Sequence, residues 1–296
     1  MTEFHVGCAL ITWKNMPNAA PDWEEAALRE SGQAGYEGAP TSVHPGQSPA
    51  ETTARYARYG LKTAPGYFGG TFGSAKSRAE ILDEAAYHAR FMRDVGCTEL
   101  YVAAGGNFIT ARGKTRREVA GHVQREDALP DDAFAQYAAL INEIGVITLA
   151  EGVYTCFHNH VGSVIETREE MDRLLSLTDP DCVFVGPDTG HLAWAGADPV
   201  AFCRAYADRI KTVHLKDCHA AVMERGRAEE WNYPTFVQHG LFAELGEGSV
   251  DFPAIFDILR AANFRGWVIA ETDRTEKPTA RESATVSCAY LRSIGI

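Results

Sequence analysis

The sequence predicts an α/β fold: a single (β/α)8 barrel over residues 1–296, with a long loop after the seventh strand. Three observations predict it. Short apolar runs alternate eight times with longer amphipathic stretches, the signature of repeated right-handed strand-helix-strand crossovers. Several of these runs are apolar throughout, as in parallel strands buried on both faces. Four of them stop at turns rich in ionisable side chains: Tyr154-Thr155-Cys156-Phe157 before His158-Asn159-His160, Cys182-Val183-Phe184-Val185 before Gly186-Pro187-Asp188-Thr189-Gly190-His191, Ile210-Lys211-Thr212-Val213 before His214-Leu215-Lys216-Asp217, and Trp267-Val268-Ile269-Ala270 before Glu271-Thr272-Asp273. A barrel gathers its active site at the C-terminal ends of its strands, which is where these groups fall.

In order, residues 4–11 read as the first strand, followed by the polar and aromatic loop 12–17. Pro21-Asp22 opens a helix that Gly32 and Gly35 close, and Tyr36-Glu37 reads as a very short second strand. A helix over 49–59 precedes a strand over 61–64 and a Gly/aromatic loop over 65–72. A long helix (77–95), a strand (99–103) and a loop (104–107) follow. The charged segment 108–130 reads as an excursion over the barrel mouth, and 131–149 as a helix with apolar positions at Phe134, Tyr137, Leu140, Ile141 and Ile144. The remaining units are a strand at 153–157, a helix at 167–177, the strand before Asp188, a helix at 199–207 and the strand before His214. Residues 218–250 read as a long irregular insertion. A helix (251–262), the eighth strand ending at Ala270 and a last helix (279–294) complete the barrel.

Composition bounds the function. The 296 residues are 45% hydrophobic and 23% charged, which suits one large globular core. Asp plus Glu number 40 against 28 Lys plus Arg, and the net charge of -12 argues against nucleic acid and anionic membranes as partners. A small neutral substrate is indifferent to that charge, and a homo-oligomer is compatible with it. The seven cysteines (Cys8, Cys97, Cys156, Cys182, Cys203, Cys218, Cys288) form a dispersed, odd set without C-x-x-C, which points to a reducing, cytoplasmic setting rather than a disulfide framework. The opening residues show no basic n-region, and no run reaches membrane-spanning length.

His158, Asp188, His214 and Glu271 make a set suited to one divalent metal. A strand-end His or Asp taken alone is more often a loop hydrogen-bonder; the four together favour a site. Residues two apart on a strand share a face, so His160 should project with His158 and Lys216 with His214, placing proton-handling groups beside the metal. Lys216 is expected to have a lowered pKa next to a cation. Glu37 either enters the pocket from the second strand or caps a turn. His5, His88 and His122 lack companions, and Cys156 and Cys218 read as small buried hydrophobes.

The runs His158-Asn159-His160-Val161-Gly162-Ser163, Asp188-Thr189-Gly190-His191, Val213-His214-Leu215-Lys216-Asp217 and Ile269-Ala270-Glu271 resemble the sugar isomerase/epimerase superfamily of xylose isomerase-like TIM barrels. Within it, Ile11-Thr12-Trp13-Lys14-Asn15, Gly226-Arg227-Ala228-Glu229-Glu230-Trp231, Gly240-Leu241-Phe242, Gly246-Glu247-Gly248 and Val250-Asp251-Phe252-Pro253 are similar to inosose dehydratases. The resemblance departs at Asn159, where those enzymes usually carry a histidine, and over 38–46 and 104–117. It implies dehydration of a 2-keto-inositol with manganese or cobalt, or alternatively zinc or magnesium, held by His158, Asp188, His214 and Glu271. His160 and Lys216 would then do acid/base work, and His191 would hold a substrate hydroxyl. Trp13, Tyr67 and Trp231 would either pack on the carbon face of the ring or anchor loops. A ketose 3-epimerase or aldose-ketose isomerase would want two opposed carboxylates, and only Glu271 qualifies. A non-catalytic polyol-binding barrel would leave four ligands idle, and a nuclease would need a basic groove.

Overall fold

The computed structural model describes residues 4–71, 76–105 and 108–296. Of the loop positions named above, Phe72, Gly106 and Asn107 lie outside these residues. Parallel strands occupy eight positions around the barrel. One hydrogen-bonded set runs Lys62–Ala64, Gly38–Pro40, Phe4–Cys8, Gly266–Ala270, Val213–Leu215, and the other Tyr67–Thr71, Glu99–Gly105, Tyr154–His158, Val183–Val185. The parallel bridges Val185 to Ile210 and Asp188 to His214 join the sets on one side, and put Asp188 and His214 at the same height.

On the other side, the third strand is broken at Pro65-Gly66. Its first half pairs with Gly38–Pro40 and its second with Glu99–Gly105, while the Gly66 carbonyl accepts the Tyr101 N–H at 2.9 Å. A Cβ at Gly66 would lie 2.3 Å from the Thr41 carbonyl oxygen, so glycine is needed for the chain to pass. The half Tyr67–Thr71 was expected to be a loop. Its Gly69-Gly70 pair lowers strand propensity, but pairing along its length with Glu99–Gly105 overrides that.

The first strand ends at Cys8, three residues early, and Ile11–Lys14 turns into a short helix pinned where Thr12 Oγ1 donates to the Thr272 carbonyl at 2.6 Å. The second strand lies at Gly38–Pro40 rather than at Tyr36-Glu37. Glu37 therefore stands before the strand, at the N-terminal face of the barrel. There its carboxylate meets His5 Nδ1 at 2.9 Å and accepts from Lys62 Nζ at 2.6 Å. Its expected substrate-binding role is ruled out by position, because the mouth is at the opposite end.

The helices follow their capping signals. Ser77 with Glu80 and Thr167 with Glu170 form reciprocal capping boxes ahead of Arg78–Asp94 and Arg168–Leu177. Helix Asp131–Ala150 has the length and apolarity to cross a membrane, contrary to the expectation that no run would, yet Phe134, Tyr137, Ile141 and Ile144 are buried in the core. All seven cysteines are free and buried.

Two excursions cover the mouth. Residues 218–250, expected to be irregular, hold the helices Ala220–Ala228 and Tyr233–Gln238 around a small core of Met223, Trp231, Phe236 and Leu241. A two-stranded antiparallel ribbon, Asp217–Cys218 with Phe242–Ala243, closes it. The organising group is the buried Asp217 carboxylate, which accepts the N–H groups of Cys218, Gly246, Gly248, Ser249 and Val250 at 2.9–3.0 Å. The second excursion, 108–130, is fastened by Arg116, whose guanidinium forks onto the Glu170 carboxylate with both contacts at 2.8 Å and also donates to the Asp127 carbonyl. The excursions clasp each other: the Arg117 carbonyl accepts the Tyr233 N–H at 2.8 Å, and His122 Nε2 meets the Trp231 carbonyl at 2.9 Å.

Arg116 is buried, so removing it strands Glu170 and the neighbouring Glu166 in a low-dielectric interior. Arg116→Ala is expected to destabilise the fold by about 3–5 kcal/mol, read from chemical denaturation at neutral pH. A loss below about 1 kcal/mol would show that the fork behaves as a surface pair and does not fasten the arm.

Candidate active site

The turn after Val183–Val185 shapes the site first. Gly186 packs under the Tyr101 ring, where an added Cβ would lie 2.8 Å from Tyr101 Cε1, and its carbonyl accepts His158 Nδ1–H at 3.1 Å. That bond fixes the tautomer of His158 and leaves Nε2 as the free basic atom. Asn159 then clamps Asp188 from both sides, its Oδ1 accepting the Asp188 N–H at 3.0 Å and its Nδ2 donating to the Asp188 carbonyl at 3.2 Å. Asp188 Oδ1 caps the following helical turn by accepting the His191 N–H at 2.8 Å.

Three of the four expected metal ligands converge closely. One ligand atom each from His158, Asp188 and His214 lie within 4.8 Å of one another, and all three side chains are buried. The fourth, Glu271, touches the group through Oε2, which meets His214 Nδ1. The fit to a cation rests on the donor set. His214 Nε2 is buried without a partner, and Asp188 Oδ2 and His214 Nδ1 meet only the charged neighbours Lys216 Nζ and Glu271 Oε2, whereas buried polar atoms are nearly always satisfied. Two imidazoles and two carboxylates facing inward would hold a borderline divalent ion.

Charge around this group is balanced by Lys216. Its buried Nζ lies 3.0 Å from Asp188 Oδ2, 3.2 Å from Asp273 Oδ2 and 3.7 Å from Glu271 Oε1. Burial opposes the ammonium, but these three carboxylates hold its pKa well above the usual lysine value. Lys216 sits among anions here, whereas the expected lowering was for a lysine beside a bound cation. For Glu271, burial opposes the charge, and Lys216 with His214 holds the carboxyl well below its usual range. Burial pushes Asp273 up to about 7 against the pull of Lys216, with Glu271 adding to the rise.

His160 shares the mouth. Its Nδ1–H donates to the Val161 carbonyl at 2.7 Å, which leaves Nε2 open, and burial with the nearby Lys216 ammonium pushes its pKa down to about 4. The ring lies 3.8 Å from that of His191 and parallel to Tyr233 at 6.2 Å. His160, Tyr67, Arg117, Gly162 and Ser163 line a cavity of about 360 Å³. Tyr67 also places its ring edge-on to His158 at 5.4 Å, so it stands at the mouth.

Three other assignments move. His191 is fully buried with both nitrogens engaged, Nδ1 accepting the Val161 N–H at 3.3 Å and Nε2 lying 3.1 Å from Lys216 Nζ. It stands behind Lys216 and has no nitrogen left for a substrate hydroxyl. Trp13 belongs to the main core and donates Nε1–H to Glu30 at 2.7 Å, and Trp231 donates to Glu229 at 2.9 Å and stacks on His239. Both tryptophans anchor loops, away from the ring-packing role. Glu166 accepts the N–H groups of Gly121 and Gly162, which makes it a loop cap. The structure adds Asp273, Asn159, Tyr233 and Arg117 to the site. Asp273 was within reach of the parity argument, two residues beyond Glu271.

Asp188→Asn is expected to weaken binding of a divalent ion by at least about 100-fold in calorimetric titration, with the thermal midpoint of the metal-free protein little changed. Parental affinity in that variant would remove Asp188 from the ligand set.

The chain matches the family model of the xylose isomerase-like TIM barrel over residues 25–294. It is 32% identical to an inosose dehydratase of Geobacillus kaustophilus (strain HTA426) over 278 residues, covering 93% of this chain and 89% of that one. It is 31% identical to the rhizopine catabolism protein MocC of Rhizobium meliloti over 270 residues, 89% of this chain and 80% of MocC. Among solved structures, the probable 3-DHS dehydratase AsbF from Bacillus anthracis superposes with a TM-score of 0.69 at 13% identity over 98% of this chain and 99% of that one. The IOLI protein with a bound zinc atom superposes with a TM-score of 0.68 at 16% identity over 98% of each chain. With eight parallel strand positions, a His/Asp/His cluster at the strand ends and a family match over most of its length, this chain belongs to the xylose isomerase-like TIM barrel family.

Proposed function

We propose that this protein is a divalent-metal-dependent hydro-lyase that removes water from a 2-keto-inositol or a closely related keto-polyol. The observation that carries the reading is the convergence of His158, Asp188, His214 and Glu271 with His160 and Lys216, two residues further along two of the same strand ends. Relatives named inosose dehydratase, 30–32% identical over about nine-tenths of the chain, supply the substrate class. A divalent ion held by the four ligands, manganese or cobalt in this reading, would supply Lewis-acid polarisation of the substrate ketone.

The chain's own groups then divide the work. His160 is neutral at pH 7 with Nε2 open, so it takes the proton from the carbon next to the ketone. The electron pair moves towards the ketone oxygen and returns to form the carbon-carbon double bond as the neighbouring C–O bond breaks. Lys216, kept charged by its carboxylates, gives a proton to the departing hydroxyl, which leaves as water. Glu271 and Asp273 hold that ammonium in place, and the 108–130 and 218–250 excursions limit access of bulk water. A 3-epimerase would need carboxylates on opposite faces of the substrate. Here the second carboxylate, Asp273, stands on the same strand end as Glu271, and the remaining flank of the mouth carries His160.

Incubation of manganese-loaded protein with scyllo-inosose is expected to produce dione absorbance. His160→Gln and Lys216→Met are each expected to lower turnover by about 100-fold or more while retaining metal. New sugar epimers from ketoses, with no dione from inosose, would replace this reading by epimerisation; full activity in Lys216→Met would make that lysine structural.

A further inference from the structure

The clasp between the two excursions brings a cation without a counter-charge to the mouth. Arg117 is exposed, and no carboxylate pairs with it among the described residues, although the chain carries a net charge of -12. Its guanidinium carbon lies 3.8 Å from the centroid of the Tyr233 ring, and its own carbonyl holds the Tyr233 N–H at 2.8 Å. The side chain and the aromatic platform beneath it are thus fixed to one another. The stem passes Gly162, whose φ of +82 and lack of a side chain leave room; an added Cβ would lie 3.0 Å from Arg117 Cγ. Beyond it the cavity of about 360 Å³ runs past Tyr67 and Ser163 to His160.

We propose that Arg117 is a specificity-determining residue. Held against Tyr233, it donates a pair of N–H bonds to two adjacent hydroxyls of the bound keto-polyol, on carbons away from those that react at His160 and Lys216. This rests on reading the site as that of a keto-polyol enzyme. A guanidinium has five donors in a rigid fork and no acceptor, so neighbouring hydroxyl oxygens match it, and stacking on Tyr233 settles its orientation before the substrate arrives. A grip on carbons that do not react is equally strong in the ground and transition states, so it lowers KM and leaves kcat alone.

The test uses the full-length, manganese-saturated protein with Arg117→Met, which keeps an apolar stem on Tyr233, and Arg117→Lys, which keeps the charge and loses the fork. With scyllo-inosose, the Met variant is expected to raise KM by about 10- to 100-fold with kcat within about threefold, and Lys is expected to recover only part of the loss. Calorimetric titration with scyllo-inositol, which has no ketone to react, should show the same ordering of affinities. Parental KM and parental polyol affinity in Arg117→Met would overturn the proposal, as would a fall in kcat matching the fall in kcat/KM. If the parent binds scyllo-inositol tightly through Arg117 but leaves inosose unreacted, the dehydratase reading fails and the Arg117 assignment stands. If the parent neither binds the polyol nor turns over the ketone, both fail.

Discussion

The buried ammonium of Lys216 is the interaction on which the mouth depends. Asp188, Glu271 and Asp273 converge there at low exposure, and without a cation among them their mutual repulsion would be costly. The run Asp188-Thr189-Gly190-His191 is built around this lysine. Asp188 pairs with Nζ; Thr189 Oγ1 accepts the Lys216 N–H at 2.9 Å and donates to the Lys216 carbonyl at 2.7 Å. Gly190 gives way to the stem, since a Cβ there would lie 2.6 Å from Lys216 Cγ, and His191 Nε2 faces the ammonium at 3.1 Å. A four-residue turn therefore does two things at once. It turns Asp188 towards His158 and His214, and it seats the cation that makes burial of this carboxylate affordable.

Burial of such a cluster requires a cover, and the cover is made from the two least regular parts of the chain. Arg116 ties one excursion to the helix Arg168–Leu177, Asp217 gathers five backbone N–H groups of the other, and the pair is stitched at Arg117 with Tyr233 and at His122 with Trp231. Tyr233 then faces His160 with a ring nearly parallel to its own. Packing energy gathered far from the reacting atoms thus fixes the direction of the imidazole. Asn159 contributes in the same manner: its amide's two ends match the N–H and C=O of Asp188.

Much of this was legible in the sequence, for a physical reason. A parallel barrel strand is an apolar run with a definite end, and the period of two along a strand carries His158 to His160 and His214 to Lys216 without knowledge of the tertiary structure. The same period applied to Glu271 reaches Asp273. What was not legible depended on contacts between distant segments. Glu37 fell on the wrong face because Gly38–Pro40 reads poorly as a strand and shifts its start. Trp13 and Trp231 are large aromatic residues in loops near the site, and composition does not tell an anchor from a platform; only the partners Glu30 and His239 do. The three carboxylates around Lys216 come from two other strands, so its anionic surroundings were not legible in its own segment. The order within 218–250 follows from one buried carboxylate, Asp217, that no local pattern marks.

His158, Asp188, His214 and Glu271 at the strand ends would together form one metal centre. The most direct test is diffraction from crystals soaked in manganese, with data collected to reveal its anomalous signal. A single strong peak is expected, enclosed by His158 Nε2, Asp188 Oδ2, a ring nitrogen of His214 and a Glu271 carboxylate oxygen. A peak bound elsewhere, or none among these four side chains, would contradict it.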